Sequence, residues 1–72
     1  MIKIGGIYKH FKNHKLYKII CLAKHSETME DMVVYEPQYE SENKIWVRPA
    51  LMFDEEVEFD GKRQKRFQLV ES

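Results

Sequence analysis

Short apolar stretches alternate with polar turns along the whole chain: IYKHF, LYKIICLAK, MVVYEPQY, IWVR, EVEF and RFQLV, separated by clusters such as KNHK, SETME and ESEN. Runs this short, rich in β-branched and aromatic residues and bounded by turn formers, predict strands rather than helices. The pattern predicts strands at residues 7–11, 16–24, 32–39, 45–48, 56–59 and 66–70, with turns at 12–15, 26–30 and 40–43. Pro49 to Phe53 reads as one helical turn, because proline suits a first helical position and Leu51 and Met52 favour helix. Six short strands cannot build two large packed sheets, so the expected fold is all-β: a small barrel or a strongly bent antiparallel sheet of five to six strands.

Periodicity within the strands predicts which faces are inside. Ile19 to Ala23 is apolar on both faces, as suits a central strand bending around a core, and it makes Cys21 a small core residue. Alternation sets Ile45 and Val47 against Trp46 and Arg48; with the aliphatic pair inward, Trp46 and Arg48 share the outer face. Asp60-Gly61 resembles a two-residue type I′ turn, but closing there would set Phe67 and Leu69 on the face of Glu56 and Glu58. A longer loop or a bulge around Gly61 is expected instead, uniting Val57, Phe59, Phe67 and Leu69 on one apolar face.

Seventy-two residues suit a single domain spanning 1–72. One cysteine cannot form an intramolecular disulfide, and no apolar run approaches a membrane span or a signal-peptide core, so a soluble, cytoplasmic chain is expected, without membrane partners and monomeric or weakly dimeric. Twelve basic residues balance twelve acidic ones. Their order is uneven: residues 1–25 hold six lysines and no acid, residues 26–43 six acids and no base, and the acids of 54–60 precede the bases of 62–66. Opposed blocks of this kind suit antiparallel strands that pair their charges.

Chemistry concentrates at His25, Ser26, Glu27 and Thr28. Adjacent His25 and Ser26 diverge on an extended chain, so they make a poor base and nucleophile pair, and Ser26 and Thr28 read as turn residues. His25 and Glu27 share a face where the strand persists, and a carboxylate there would orient the imidazole. His10 and His14 do not share a ligand face on a strand and turn, and Gly5-Gly6 lacks the lysine and helix of a phosphate loop, so neither a metal nor a cofactor is expected. Tyr8, Tyr17, Tyr35, Tyr39 and Trp46 form an aromatic set too rich to be entirely core, and Arg48 beside Trp46 could clamp a carboxylate or phosphate or pair with Glu27 or Glu30.

YKHFK (Tyr8 to Lys12), Tyr17, AKHSET (Ala23 to Thr28), Glu30, VVY (Val33 to Tyr35), Tyr39, WVRP (Trp46 to Pro49), Met52-Phe53 and DGKRQKRF (Asp60 to Phe67) together resemble the bacterial domain-of-unknown-function family 1653 (DUF1653), from about Gly6 to Leu69. The resemblance implies an SH3-like barrel and nominates His10, His25, Ser26, Glu27, Thr28 and Arg48; it implies no activity. Two departures, a first turn (Asn13-His14-Lys15) without the glycine often found there and Gln38 in place of an apolar residue, bear on the first loop's shape. The expected function is a non-catalytic binding module for a peptide, nucleotide or short single strand. Its groove would be lined by Tyr8, His10, His25, Glu27, Tyr35, Trp46 and Arg48. The alternatives are a small enzyme acting on a modified nucleotide or amide through His25 and Glu27, or a structural, self-associating protein.

Overall fold

The computed structural model describes residues 2–40 and 44–71, so most of the turn expected at 40–43 lies outside the described residues. Seven strands and one helical turn follow in order: β1 (Ile7–His10), β2 (Leu16–Lys24), β3 (Asp31–Pro37), β4 (Trp46–Pro49), α1 (Ala50–Phe53), β5 (Glu56–Phe59), β6 (Lys62–Lys65) and β7 (Phe67–Glu71). Antiparallel pairing arranges five of them in the order β4-β3-β2-β1-β7, while β5 and β6 form a separate two-stranded ribbon. The sheet is bent but not closed into a barrel. No described helix is long and apolar enough to cross a membrane.

Aromatic rings fill the concave face of the sheet. Tyr8, Tyr17, Ile19, Val33, Tyr35, Phe53 and Phe67 are buried together. α1 lays the Phe53 ring flat on Phe67, with centroids 4.2 Å apart and planes 3° from parallel. Tyr8 meets Phe53 edge-on, and Tyr17 and Tyr35 meet Phe67 likewise. Three of the tyrosines expected to exceed the core therefore lie within it, each with its hydroxyl at the margin. The Lys3 N–H donates to Tyr8 Oη (2.9 Å), Tyr17 Oη and Tyr39 Oη share a hydrogen bond (2.9 Å), and Arg48 Nε donates to Tyr35 Oη (3.4 Å). A buried phenol needs such a partner, and each of these three hydroxyls has one.

Register corrects two readings of the faces. Val33 stands opposite Arg48 and Tyr35 opposite Trp46, and cross-strand partners share a face. Since Val33 and Tyr35 are core residues, Trp46 and Arg48 lie on the concave side, and Val47 is left 59% exposed on the convex one. In β2 the pairing passes from Ile19–Tyr35 to Cys21–Val34, so Ile20 is the extra residue of a bulge. The bulge bends the strand as its composition suggests, but it turns Cys21 outward, and the thiol is exposed rather than core.

The last hairpin closes on two residues after all, with Phe59 opposite Lys62 and positive φ at both Asp60 (58°) and Gly61 (78°), the backbone of a type I′ turn. No bulge realigns Val57 and Phe59 with Phe67 and Leu69. The mismatch of faces is resolved at Arg66 instead, where the chain leaves one sheet for the other. There the Arg66 N–H donates to the Glu55 carbonyl (3.0 Å) and the Arg66 carbonyl accepts from the Phe11 N–H (2.9 Å). Phe67 then enters the core opposite His10, whereas Phe59 stays 42% exposed on the ribbon. Opposed charges do meet as their order suggests, at Arg63–Glu56 (2.9 Å), Lys65–Asp54 (3.2 Å), Arg66–Glu55 (2.6 Å) and Lys24–Asp31 (2.5 Å).

Candidate functional site

Where β1, β2, β3, β4 and β7 converge, the aromatic core opens to solvent in a cleft of about 180 Å³ lined by His10, Asn13, Tyr17, Tyr35, Trp46, Arg48 and Phe67. Tyr35 and Phe67 form the floor. The Arg48 guanidinium stands over the Phe67 ring, its carbon 5.7 Å from the centroid, while Nε is held by Tyr35 Oη. Among the described residues no carboxylate pairs with Arg48. A half-buried cation supported by ring faces and a phenol keeps its charge and its terminal N–H donors available to an anion.

His10 forms a second wall. Its ring packs edge-on against Phe67 with centroids 5.0 Å apart, and its Nδ1 accepts the Lys12 N–H (3.1 Å). That bond fixes the neutral tautomer with the proton on Nε2. Burial, then the charges of Arg48, Arg66 and Lys12, hold the imidazole pKa below its ordinary value. Tyr17 is pushed the other way, above the usual phenol range, by burial and by its bond to Tyr39, with Asn13 and Lys15 opposing. The cleft thus combines one permanent cation with neutral hydrogen-bonding groups and flat apolar walls.

The remaining nominated residues lie elsewhere. Tyr8 is buried beside Phe53, away from the cleft. His25 and Glu27 belong to the β2–β3 turn, where His25 Nδ1 accepts the backbone N–H groups of Glu27 (3.1 Å) and Thr28 (3.3 Å). Thr28 Oγ1 accepts the Glu30 N–H (3.2 Å), and the His25 backbone closes the turn through Glu30 and Met29. The imidazole is thereby committed to the turn at Nδ1, and among the described residues Glu27 forms no ion pair with Arg48. Asn13, Tyr17 and Phe67 complete the cleft without having been singled out for it. Tyr17 had a signal in the aromatic set, but Phe67 joins through a pairing between distant strands that no local pattern carries.

A larger concavity of about 560 Å³, lined by Ile2, Glu30, Asp31, Ala50, Leu51, Asp54 and Glu55, is chemically poorer. Lys24, Lys65 and Arg66 already neutralise three of its four carboxylates. Among the described residues no three His, Cys, Asp or Glu side chains gather as metal ligands.

The sequence profile described as protein of unknown function (DUF1653) matches residues 6–69. A solved crystal structure, of a protein from Bordetella bronchiseptica belonging to that family, is similar to the chain with a TM-score of 0.85 and 30% identity, over 96% of this chain and 88% of the other. No curated protein matches.

Proposed function

Because the chain belongs to the DUF1653 family, whose description assigns no activity, we propose a function from the cleft alone: a binding module that receives a single flat, anionic group on Arg48. The observation that carries this reading is the Arg48 guanidinium, held by Tyr35 Oη and the Phe67 face with no carboxylate partner among the described residues. An arginine so placed contributes planar, bidentate recognition of a carboxylate or phosphate, and Trp46 lines the cleft with it. Size favours a terminal group over an enclosed substrate, since about 180 Å³ falls below the roughly 300 to 1,000 Å³ of ordinary small-molecule pockets. Binding without catalysis fits the same inventory. Burial and the neighbouring cations favour neutral His10, and its Nδ1 already accepts the Lys12 N–H (3.1 Å), so the imidazole is a wall of the cleft rather than a free base.

Titration of isotope-labelled protein with phenyl phosphate and benzoate tests the reading. Saturable shifts at Tyr35, Trp46 and Arg48 are expected, and Arg48→Ala should abolish them while retaining the dispersed spectrum of the folded chain. Shifts that persist unchanged in folded Arg48→Ala would refute it.

A further inference from the structure

Lys9 and His10 are neighbours in β1 and point to opposite faces, so the β1–β2 turn is a rim with a different concavity on each side. His10 and Asn13 face the Arg48 cleft. Lys9, Phe11 and His14 face a second groove of about 210 Å³, completed by Phe59, Lys62 and Gln64 of the β5–β6 ribbon. The rim is narrow, for the His10 and Phe11 ring centroids are 4.9 Å apart. Phe11 holds the half-exposed Phe59 ring edge-on at 5.4 Å, so the groove presents a supported aromatic surface.

Charge is compatible with the same groove, although Lys3, Lys15, Lys18 and Lys44 elsewhere are likewise without a carboxylate partner among the described residues. The chain is neutral overall, but Asp54, Glu55 and Glu56 are taken up by Lys65, Arg66 and Arg63, and Asp31 by Lys24. Lys9, Lys12 and Lys62 are left around the rim with no carboxylate partner among the described residues, against a single lining acid, Asp60. Cations flanking a supported ring, next to a cleft built for one anionic terminal group, match a polymer that repeats an anion and carries flat rings.

We propose that this groove binds the backbone phosphates of a single-stranded nucleic acid whose terminal group occupies the Arg48 cleft. For that terminal group the inference rests on the binding reading above. Lys9 and Lys62 contact phosphates, and Phe59 stacks on a base. An acidic peptide without aromatic residues would supply the charge but no ring to stack, and is the outcome the test must exclude.

The experiment is fluorescence anisotropy of 3′-labelled octathymidylate and octauridylate with the full chain over a series of salt concentrations. Phenyl phosphate, titrated by NMR, probes the Arg48 cleft separately. The oligomers should bind at least about tenfold more tightly than phenyl phosphate, and Lys9→Ser with Lys62→Ser should flatten the slope of log K against log salt by roughly 1.4, at about 0.7 per phosphate lost. The same double variant should leave the melting temperature and the phenyl phosphate shifts unchanged. Oligomers no tighter than phenyl phosphate, an unaltered salt slope in the double variant, or equal binding by labelled octaglutamate would each overturn the inference. Oligomer binding that depends on Lys9 and Lys62 but not on Arg48 would uphold the groove and refute the Arg48 anchor.

Discussion

Phe67 joins the fold to the cleft, and Phe67→Leu measures how much both depend on its ring. The residue lies flat on Phe53 and takes the edges of His10, Tyr17 and Tyr35, with Arg48 above it. Complete truncation of a buried phenylalanine costs about 3 to 5 kcal/mol. Leucine restores most of the apolar volume but none of the ring geometry, and each aromatic pair adds about 0.5 to 1.5 kcal/mol beyond its area. Because four rings share one neighbour these increments do not add, and a net loss of about 2 kcal/mol is expected. Against a total stability of about 4 to 11 kcal/mol for a chain of this length, Phe67→Leu stays folded. Its melting temperature should fall by roughly 8 to 16 °C. Urea denaturation followed by Trp46 fluorescence gives the number, with an unchanged m-value expected and Val70→Ala, on an exposed position, as a control within about 0.5 kcal/mol. Combining Phe67→Leu with Arg48→Ala should yield a coupling of about 0.5 to 1 kcal/mol for the cation over the ring. A loss below about 0.5 kcal/mol for Phe67→Leu would refute the claim that stacked rings organise this core.

Two further outcomes follow from the same geometry. With the His10 pKa lowered in the folded state, the unfolded chain takes up the proton first, so the stability contributed by neutral His10 is complete above about pH 6.5 and is lost as pH falls through the lowered value. Urea midpoints from pH 7.5 to 5 should show this acid-side decline, and His10→Gln should flatten it; an equal decline in the variant would assign the effect to other groups. Cys21, turned outward by the bulge at Ile20, should react with a disulfide reagent in the native protein without urea. Labelling that requires unfolding would contradict the register of β2.

Six of the seven strands and the helical turn at Ala50–Phe53 were legible because each rests on local composition, and the charge blocks foretold the pairs at Asp54, Glu55 and Glu56; β6 (Lys62–Lys65) was missed, because KRQK carries no apolar residue and is a strand only through its pairing with β5. Faces were less legible. Alternation says that Ile45 and Val47 oppose Trp46 and Arg48, but only the partner strand decides which pair is inside, and Val33 and Tyr35 decide for Arg48. Hydrophobicity misled there because Trp46 and Arg48 line an aromatic cleft rather than an aliphatic core. The bulge at Ile20 inverts the parity of everything after it in β2, and the break at Arg66 does the same between β6 and β7. One residue in each place undoes an otherwise correct periodicity. Of the expected groove, His10, Tyr35, Trp46 and Arg48 come together; His25 and Glu27 were drawn in by their chemical types, although backbone amides already use that histidine.

The pairing of β1 with β7 joins strands from nearly opposite ends of the described chain. The Asp60-Gly61 hairpin and the β2–β3 hairpin need only local closure, on a microsecond scale of about 1 to 10 μs. Phe67 cannot take its place until β7 finds β1 across a long loop, whose closure must precede the contacts that reward it. Folding should therefore pass through a stage in which hairpins exist while the faces of Tyr17 and Tyr35 are still uncovered. The β1–β7 seam is expected to limit the folding rate, and the Arg48 cleft, which requires Phe67 beneath it, to form late.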